Sequence, residues 1–193
     1  MRTPGTIRQQ IAIYERRIRE LEHDLLHATS LLNEDSLTGL LNRRGFAQVC
    51  KLLSTGAICS GVPISCAVID LDDFKAINDR YGHAAGDKAL CHFVNILRLN
   101  LRPIDNAARL GGDEFALILP EATDADAMDV LNRLLAALAA QPFSTEGGPQ
   151  VLYFSAGVTE MRDKESVHDQ LNRADAILLE AKRGGKRRVL RAS

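Results

Sequence analysis

Arg109-Leu110-Gly111-Gly112-Asp113-Glu114-Phe115-Ala116-Leu117-Ile118-Leu119-Pro120 sets two adjacent glycines and two adjacent carboxylates between short apolar runs. The runs read as strands, and Gly-Gly between them signals a hairpin, because a two-residue loop of primed geometry needs positive φ. The tip then presents Asp113 and Glu114, and neither Gly111 nor Gly112 adds a side chain to block an approaching ligand. Two carboxylates on one turn repel unless a cation or solvent relieves them. Taken alone, the segment fits a charged surface hairpin as well as it fits a site.

Upstream, Ile64-Ser65-Cys66-Ala67-Val68-Ile69 is a short apolar run rich in β-branched residues, the pattern of a central strand buried on both faces. It runs straight into Asp70-Leu71-Asp72-Asp73-Phe74-Lys75, and acids at the carboxyl end of a buried strand lie where α/β sheets bind ligands. One of the three aspartates is expected to cap a helix; three with a lysine behind them suggest a cation and a phosphate. Residues 76–87 read as a polar, glycine-bearing excursion, and a helix starts near Asp87 with Leu90, Phe93, Val94, Leu97 and Leu101 in one stripe. His83 and His92 read as structural, since no second ligand is spaced to join either one. Leu101-Arg102-Pro103-Ile104-Asp105 breaks that helix ahead of the hairpin.

Downstream, Ala127, Leu131, Leu134, Leu135 and Leu138 mark a helix that ends before Gln141-Pro142. Thr145-Glu146-Gly147-Gly148-Pro149 is a turn, and residues 151–158 read as a strand. The last helix opens with Ser166 and Asp169 in capping-box-like spacing. It turns Val167, Leu171, Ala174, Ile177 and Leu178 inward and stops at Gly184-Gly185. Lys182, Arg183, Lys186, Arg187 and Arg188 cluster there, either to complement the helix dipole or to reach an anion. Strand, helix, hairpin, helix, strand, helix predicts an α+β sandwich, with helices covering a mostly antiparallel sheet.

At the amino end, Ile7, Ile11, Tyr14, Ile18, Leu21, Leu25, Ala28 and Leu32 recur at alternating steps of four and three, a heptad seam that argues for a coiled coil. Arg17 and Glu22 are spaced for an interhelical pair. Residues 33–45 then break the helix, with side-chain caps on a turn. A short helix follows, with Phe46, Val49, Leu52 and Leu53 on one face, and Ser54-Thr55-Gly56 and residues 60–63 read as loop. The 193 residues suffice for one ordinary domain plus an appendage, without repeats or low-complexity tracts. A net charge of −1 gives no general pull toward nucleic acid or anionic membrane, and no apolar run is long enough to cross a bilayer. Met1–Thr6 leads into an amphipathic pattern, not the apolar core of a signal peptide. Cys50, Cys59, Cys66 and Cys91 lack paired metal-ligand spacing and read as free thiols of a reducing cytoplasm.

Several ordered motifs carry a resemblance. They are Asp35-x-Leu37-Thr38-Gly39-Leu40-x-Asn42-Arg43, Asp70-x-Asp72-x-Phe74-Lys75-x-Ile77-Asn78-Asp79-x-Tyr81-Gly82-His83-x-x-Gly86-Asp87, Arg109-x-Gly111-Gly112-Asp113-Glu114-Phe115, and Ala174-Asp175 with Ala181-Lys182. In this order and spacing the chain resembles the GGDEF family of diguanylate cyclases, from Asp35 to about Val189. The resemblance implies a palm-like α+β domain, similar to class III nucleotide cyclases, and a reaction that joins two GTP into cyclic di-GMP with loss of two pyrophosphates. It implies Mg²⁺, with Mn²⁺ as a substitute, held by Asp70, Asp113, Glu114 and the Leu71 carbonyl. Mg²⁺ is a hard ion suited to one or two carboxylates plus phosphate oxygens.

By the same resemblance either Asp113 or Glu114 accepts the 3′-hydroxyl proton, and Asp72 supports the metal ligands from behind. Lys75, Lys182 and Lys186 contact phosphates as charge moves to the leaving group. Asn78 and Asp87 read guanine, and Asp87 doubles as an N-cap. Arg102-Pro103-Ile104-Asp105 matches an Arg-x-x-Asp product-inhibition site, with Arg133 as its added arginine; an arginine can fork onto guanine O6 and N7. Two positions depart from the family: Leu179 replaces a usual tyrosine, and Arg187 stands where asparagine is common. The implied organisation is a stalk at 1–34 and a catalytic domain at 35–193, paired as a homodimer through a parallel coiled coil that faces two half-sites. The contrasting reading is a catalytically silent receptor that binds cyclic di-GMP or GTP.

Overall fold

The computed structural model describes residues 4–162 and 165–192. Its centre is β2 (Ile64–Leu71), whose side chains alternate between two apolar layers. Ala67, Ile69 and Leu71 enter one cluster, while Ile64, Cys66 and Val68 enter two clusters on the opposite face. β4 (Glu114–Pro120) alternates the same way, with Phe115, Leu117 and Leu119 against Ala116 and Ile118. Both faces are therefore covered, as expected of an inner strand.

The other strands are β1 (Leu41–Asn42), β3 (Asn106–Gly111), β5 (Phe143–Thr145), β6 (Gly148–Gln150), β7 (Phe154–Glu160) and β8 (Val189–Arg191). Six of them form one sheet in the order β1-β3-β4-β2-β7-β8, and β5 and β6 pair separately as a hairpin. The β2–β4, β2–β7 and β3–β4 pairings are antiparallel, while the edge strands β1 and β8 join in parallel. This is a mostly antiparallel α+β sheet between helices.

One face is covered by α3 (Phe74–Tyr81), α4 (His83–Asn100) and α5 (Asp124–Ala140). Phe93 of α4 lies 4.6 Å from Phe115 and 6.0 Å from Phe154, ring centre to ring centre. A Phe→Ala change in such a core costs about 3–5 kcal/mol. α2 (Arg43–Ser60) and α6 (Val167–Arg183) cover the other face through Phe46, Cys50, Ala174 and Leu178. Burial pushes the Cys50 thiol up to about 12 and raises the Cys66 thiol further, so both stay protonated and inert. Ser166 caps α6 by accepting the Asp169 N–H (3.1 Å), and Gly184 ends it. The Val167 side chain lies outside the described residues.

α1 is one continuous helix, Pro4–Asn33. Ile11, Tyr14, Ile18, Leu21 and Leu32 of the heptad seam are 50–66% exposed; the side chains of Ile7, Leu25 and Ala28 lie outside the described residues. Within the helix Arg17 pairs with Glu20 (3.3 Å). Among the described residues no helix is long and apolar enough to cross a membrane.

Four local expectations need correction. The hairpin turn is Gly112-Asp113, one residue later than read, because a bulge at Leu110 shifts the β3–β4 register and Glu114 already pairs with Gly111. Phe74–Tyr81 is a helix, and α4 begins at His83, so only Gly82 separates them. Asp87 is consequently inside α4 and caps nothing. α2 continues through Ser54–Ser60, and Leu52 is 75% exposed on its outer side. Finally, β7 starts at Phe154, with Val151–Tyr153 outside it.

Candidate active site

Backbone pairing brings the acids together. Asp70, next to last in β2, lies directly opposite Glu114, and the Leu71 N–H donates to the Asp113 carbonyl (3.2 Å). The Lys182 ammonium at the end of α6 closes on Asp70 at 2.7 Å. Partial burial raises the Asp70 pKa; Lys182 opposes that, while the charges of Asp113 and Glu114 push it up further. On the solvent side the Arg43 guanidinium lies 4.0 Å from Glu114. This carboxylate set, with repulsion only partly relieved by the Lys182 ammonium and the Arg43 guanidinium, is chemically matched to a hard divalent ion. Among the described residues no three acids, histidines or cysteines form a ready-made cage. An ion that takes one or two carboxylates and completes its shell with phosphate oxygens and water does not need one.

The turn after β2 differs from the capping expectation. Asp73 holds the N-cap position of α3 in a left-handed conformation (φ 59) but makes no capping bond; its carboxylate meets the Lys186 ammonium at 2.6 Å. Asp72 is buried, accepting from the Ser155 hydroxyl (2.8 Å) and the Arg187 N–H (2.9 Å). It ties β2 to β7 and to the segment after α6, so the 70–73 turn is held from three elements.

The α3–α4 joint carries the remaining pair. Gly86 is buried against Asn78 and Phe74, and a Cβ there would run into the Asn78 amide. Only glycine lets the two helices close, and this places half-buried Asn78 beside the exposed Asp87 that follows Gly86. Lys75 is exposed in the first turn of α3 and makes no ion pair among the described residues. The structure thus groups Asp70, Asp113, Glu114 and Lys182; ties Lys186 to the same turn through Asp73; and sets Asn78 with Asp87. Lys75 is joined to none of them by a direct bond. Leu179 is 45% exposed on α6, so this departure leaves the core untouched.

The Arg102–Asp105 segment is built differently. Arg102 donates to Asp105 from Nε (3.2 Å), Nη2 (2.8 Å) and its backbone N–H (2.8 Å). Nη2 also donates to the Pro120 carbonyl (2.8 Å). The Asp105 side chain is 1% exposed, whereas Arg102 is 46% exposed. Arg133 borders a recess of about 340 Å³ with Arg102, but its guanidinium is spent on the Asn100 carbonyl (2.7 Å) and side-chain oxygen (3.2 Å).

Four participants were not singled out by sequence reasoning. Ser155 could have been flagged as a hydroxyl inside an apolar run. Arg43 gave no signal beyond its motif. Arg109 and Asp35 each stood in a motif, yet their pairing spans 74 positions: Arg109 Nη1 reaches Asp35 at 3.2 Å while its Nε donates to the Gly112 carbonyl (2.9 Å). Asp35 also accepts from the Thr38 N–H (2.9 Å) and hydroxyl (2.6 Å). Burial works to raise its pKa, but these bonds prevail and hold it below the usual carboxylate value.

A family profile described as "Diguanylate cyclase, GGDEF domain" matches residues 32–188. Diguanylate cyclase DgcP of Pseudomonas aeruginosa is 40% identical over 155 residues, which are 80% of this chain and 23% of DgcP. Response regulator PleD of Caulobacter vibrioides is 36% identical over 173 residues, 88% of this chain and 38% of PleD. The chain therefore spans well under half the length of these two relatives. The solved coiled coil and GGDEF domain of DgcB from Caulobacter crescentus, in complex with c-di-GMP, is similar with a TM-score of 0.87 and 28% identity, covering 97% of this chain and all of that one.

Proposed function

The chain belongs to the GGDEF-domain family of diguanylate cyclases, and from that premise we propose that it condenses two GTP molecules into cyclic di-GMP, releasing two pyrophosphates, in the cytoplasm. The observation that carries this reading is the β2–β4 register, which sets Asp70 against Glu114 and hydrogen-bonds Leu71 to Asp113. Residues 1–34 serve as a stalk and residues 35–193 as the catalytic domain.

Asp70, Asp113, Glu114 and the Leu71 carbonyl would hold Mg²⁺, or Mn²⁺ in its place; the ion would supply charge neutralisation at the α-phosphate and the leaving pyrophosphate. The 3′-oxygen of one GTP bonds to the α-phosphorus of the other as the bond to pyrophosphate breaks, and the second linkage forms likewise. Asp113 or Glu114 takes the hydroxyl proton, which geometry limits to a group within hydrogen-bond reach. Lys182, which pairs with Asp70, would lend its charge to the phosphates if a divalent ion took its place on that carboxylate. Lys75 and Lys186 add positive charge along the same path. Asp87 accepts from guanine N1–H and its exocyclic amine, and Asn78 completes the edge; adenine would leave these groups unmatched.

Each domain binds one GTP, so two must meet. The half-exposed stripe Ile11, Tyr14, Ile18, Leu21 on α1 supports a parallel coiled-coil homodimer, and the likeness to a chain comprising a coiled coil and GGDEF domain favours the same arrangement. Arg102, Asp105 and Arg133 form the product-inhibition site.

The test is direct: purified chain is incubated with GTP and Mg²⁺, then with Mn²⁺, and nucleotides are separated by chromatography, with a parallel run containing added cyclic di-GMP. Cyclic di-GMP as product, slowed by its own addition, is expected. Absence of product at high enzyme concentration, with cyclic di-GMP binding retained, would overturn the enzyme reading in favour of a silent receptor.

A further inference from the structure

Beyond the nucleotide site, on the other side of the 72–73 turn, lies a recess between α3, the segment entering β7 and the segment after α6. Two guanidinium–tyrosine stacks line it. The Arg187 guanidinium lies 4.2 Å from the Tyr153 ring centre, and that of Arg80 lies 5.1 Å from the Tyr81 ring centre. The two acids in the wall are already engaged: Asp72 by Ser155 and the Arg187 N–H, Asp73 by Lys186. Neither arginine has a carboxylate partner among the described residues. Their fork-shaped donors therefore face the recess unspent, the geometry that suits a phosphate.

Two further observations mark this place as more than ordinary surface. Lys186 and Arg187 are consecutive left-handed residues, with φ of 61 and 53. Asparagine tolerates that conformation far better than arginine, and position 187 is where the family commonly has asparagine. An unfavourable backbone occupied by a long cation is the kind of outlier that points to use. Size narrows the ligand. The recess measures about 200 Å³, below the roughly 300–1,000 Å³ of pockets that hold drug-sized molecules, so it suits a small anion better than a whole nucleotide.

We propose that this recess is a second anion site, which takes a small phosphate anion of the pyrophosphate class between Arg80 and Arg187. Naming pyrophosphate draws on the reaction proposed above; the binding itself does not. Because the Arg187 N–H is bonded to Asp72 and Lys186 to Asp73, an anion clamped here braces the turn that precedes Lys75 and gives the released product a hold on the site that made it.

Calorimetric titration of the whole chain with sodium pyrophosphate, at fixed ionic strength and with divalent ions chelated, tests this. A saturable site is expected, weakened at least tenfold in the Arg80→Gln/Arg187→Asn double variant and retained in Lys182→Gln. The affinity of the double variant for a non-hydrolysable GTP analogue with Mg²⁺ stays within twofold of the parent. Arg80→Gln alone, on the exposed side of α3, gives the same direction should the double variant fold poorly. Unchanged pyrophosphate binding in these variants, equal binding of sulfate, or a parallel loss of the GTP analogue would each overturn the proposal. A chain that makes no cyclic di-GMP yet loses pyrophosphate binding in the variants would sink the enzyme reading and leave this site standing.

Discussion

The acids around β2 and the Arg102–Asp105 segment are both charged motifs, but they are left in opposite electrostatic states. At the first, Asp113 and Glu114 press on Asp70, and one close ammonium with a more distant guanidinium answers for three carboxylates. At the second, one arginine commits two side-chain nitrogens to one carboxylate, and that carboxylate is 1% exposed. The first arrangement is under-neutralised and suits a cation. The second is closed upon itself, so any guanine that reads Arg102 and Asp105 must first open their pair. A ligand at either place must open an ion pair, Lys182–Asp70 at the first and Arg102–Asp105 at the second, but only the second pair answers its carboxylate in full.

Mutations can break this contrast, beginning with the largest effect. Asp113→Asn should lower cyclic di-GMP formation by at least ~100-fold, on the scale of losing one prepositioned charge-handling group, while the thermal midpoint holds or rises because repulsion on Asp70 is relieved. A variant that keeps its rate would show that the acids are ornamental. Arg102→Leu should do the reverse: initial rate without product unchanged, inhibition by cyclic di-GMP weakened at least ~10-fold, and stability reduced by about 1–3 kcal/mol as a buried carboxylate loses its donors. Denaturant midpoints for the two variants would move in opposite directions; movement in the same direction would erase the distinction.

Asp35 extends the contrast to pH. Its folded pKa is depressed, so its contribution is complete above the unfolded value of 3.8 and disappears as pH falls below that through the folded value. Asp35→Asn should cost about 1–2 kcal/mol at pH 7 and flatten the loss of stability measured as pH falls below 3.8. A mutant whose acid limb matches the parent would remove Asp35 from the account. The smallest effect belongs to Glu121, a left-handed residue (φ 54) beside Arg102. Glu121→Asn should gain about 0.5 kcal/mol from relief of that backbone and leave both sites as they are, a shift readable by chemical denaturation.

What could be read in advance followed from periodicity. β2 and β4 announced themselves by apolar runs of the right length, and α4, α5 and α6 by their stripes and end signals. α3 did not, because only Phe74 of its eight residues is buried and its polar composition resembles a loop. The hairpin turn was displaced by one residue because a bulge leaves no mark in a row of letters. For the site, the acids and lysines were named from their motifs, but not who holds whom: Asp72 with Ser155 across 83 positions, Asp73 with Lys186 across 113. Local signals specify which residue types are present, and only strand pairing decides which of them meet.

Asn42 has a consequence for how movement in the stalk would travel. Its amide donates to the Leu32 and Glu34 carbonyls at the end of α1, while its side-chain oxygen accepts the Gly45 N–H at the start of α2. One short side chain thus splices two helices, alongside the Glu34–Leu41 bridge and the Asp35 N–H bond to the Leu40 carbonyl. Any twist of α1 about its axis would therefore strain the Asn42 bonds before it could leave the joint.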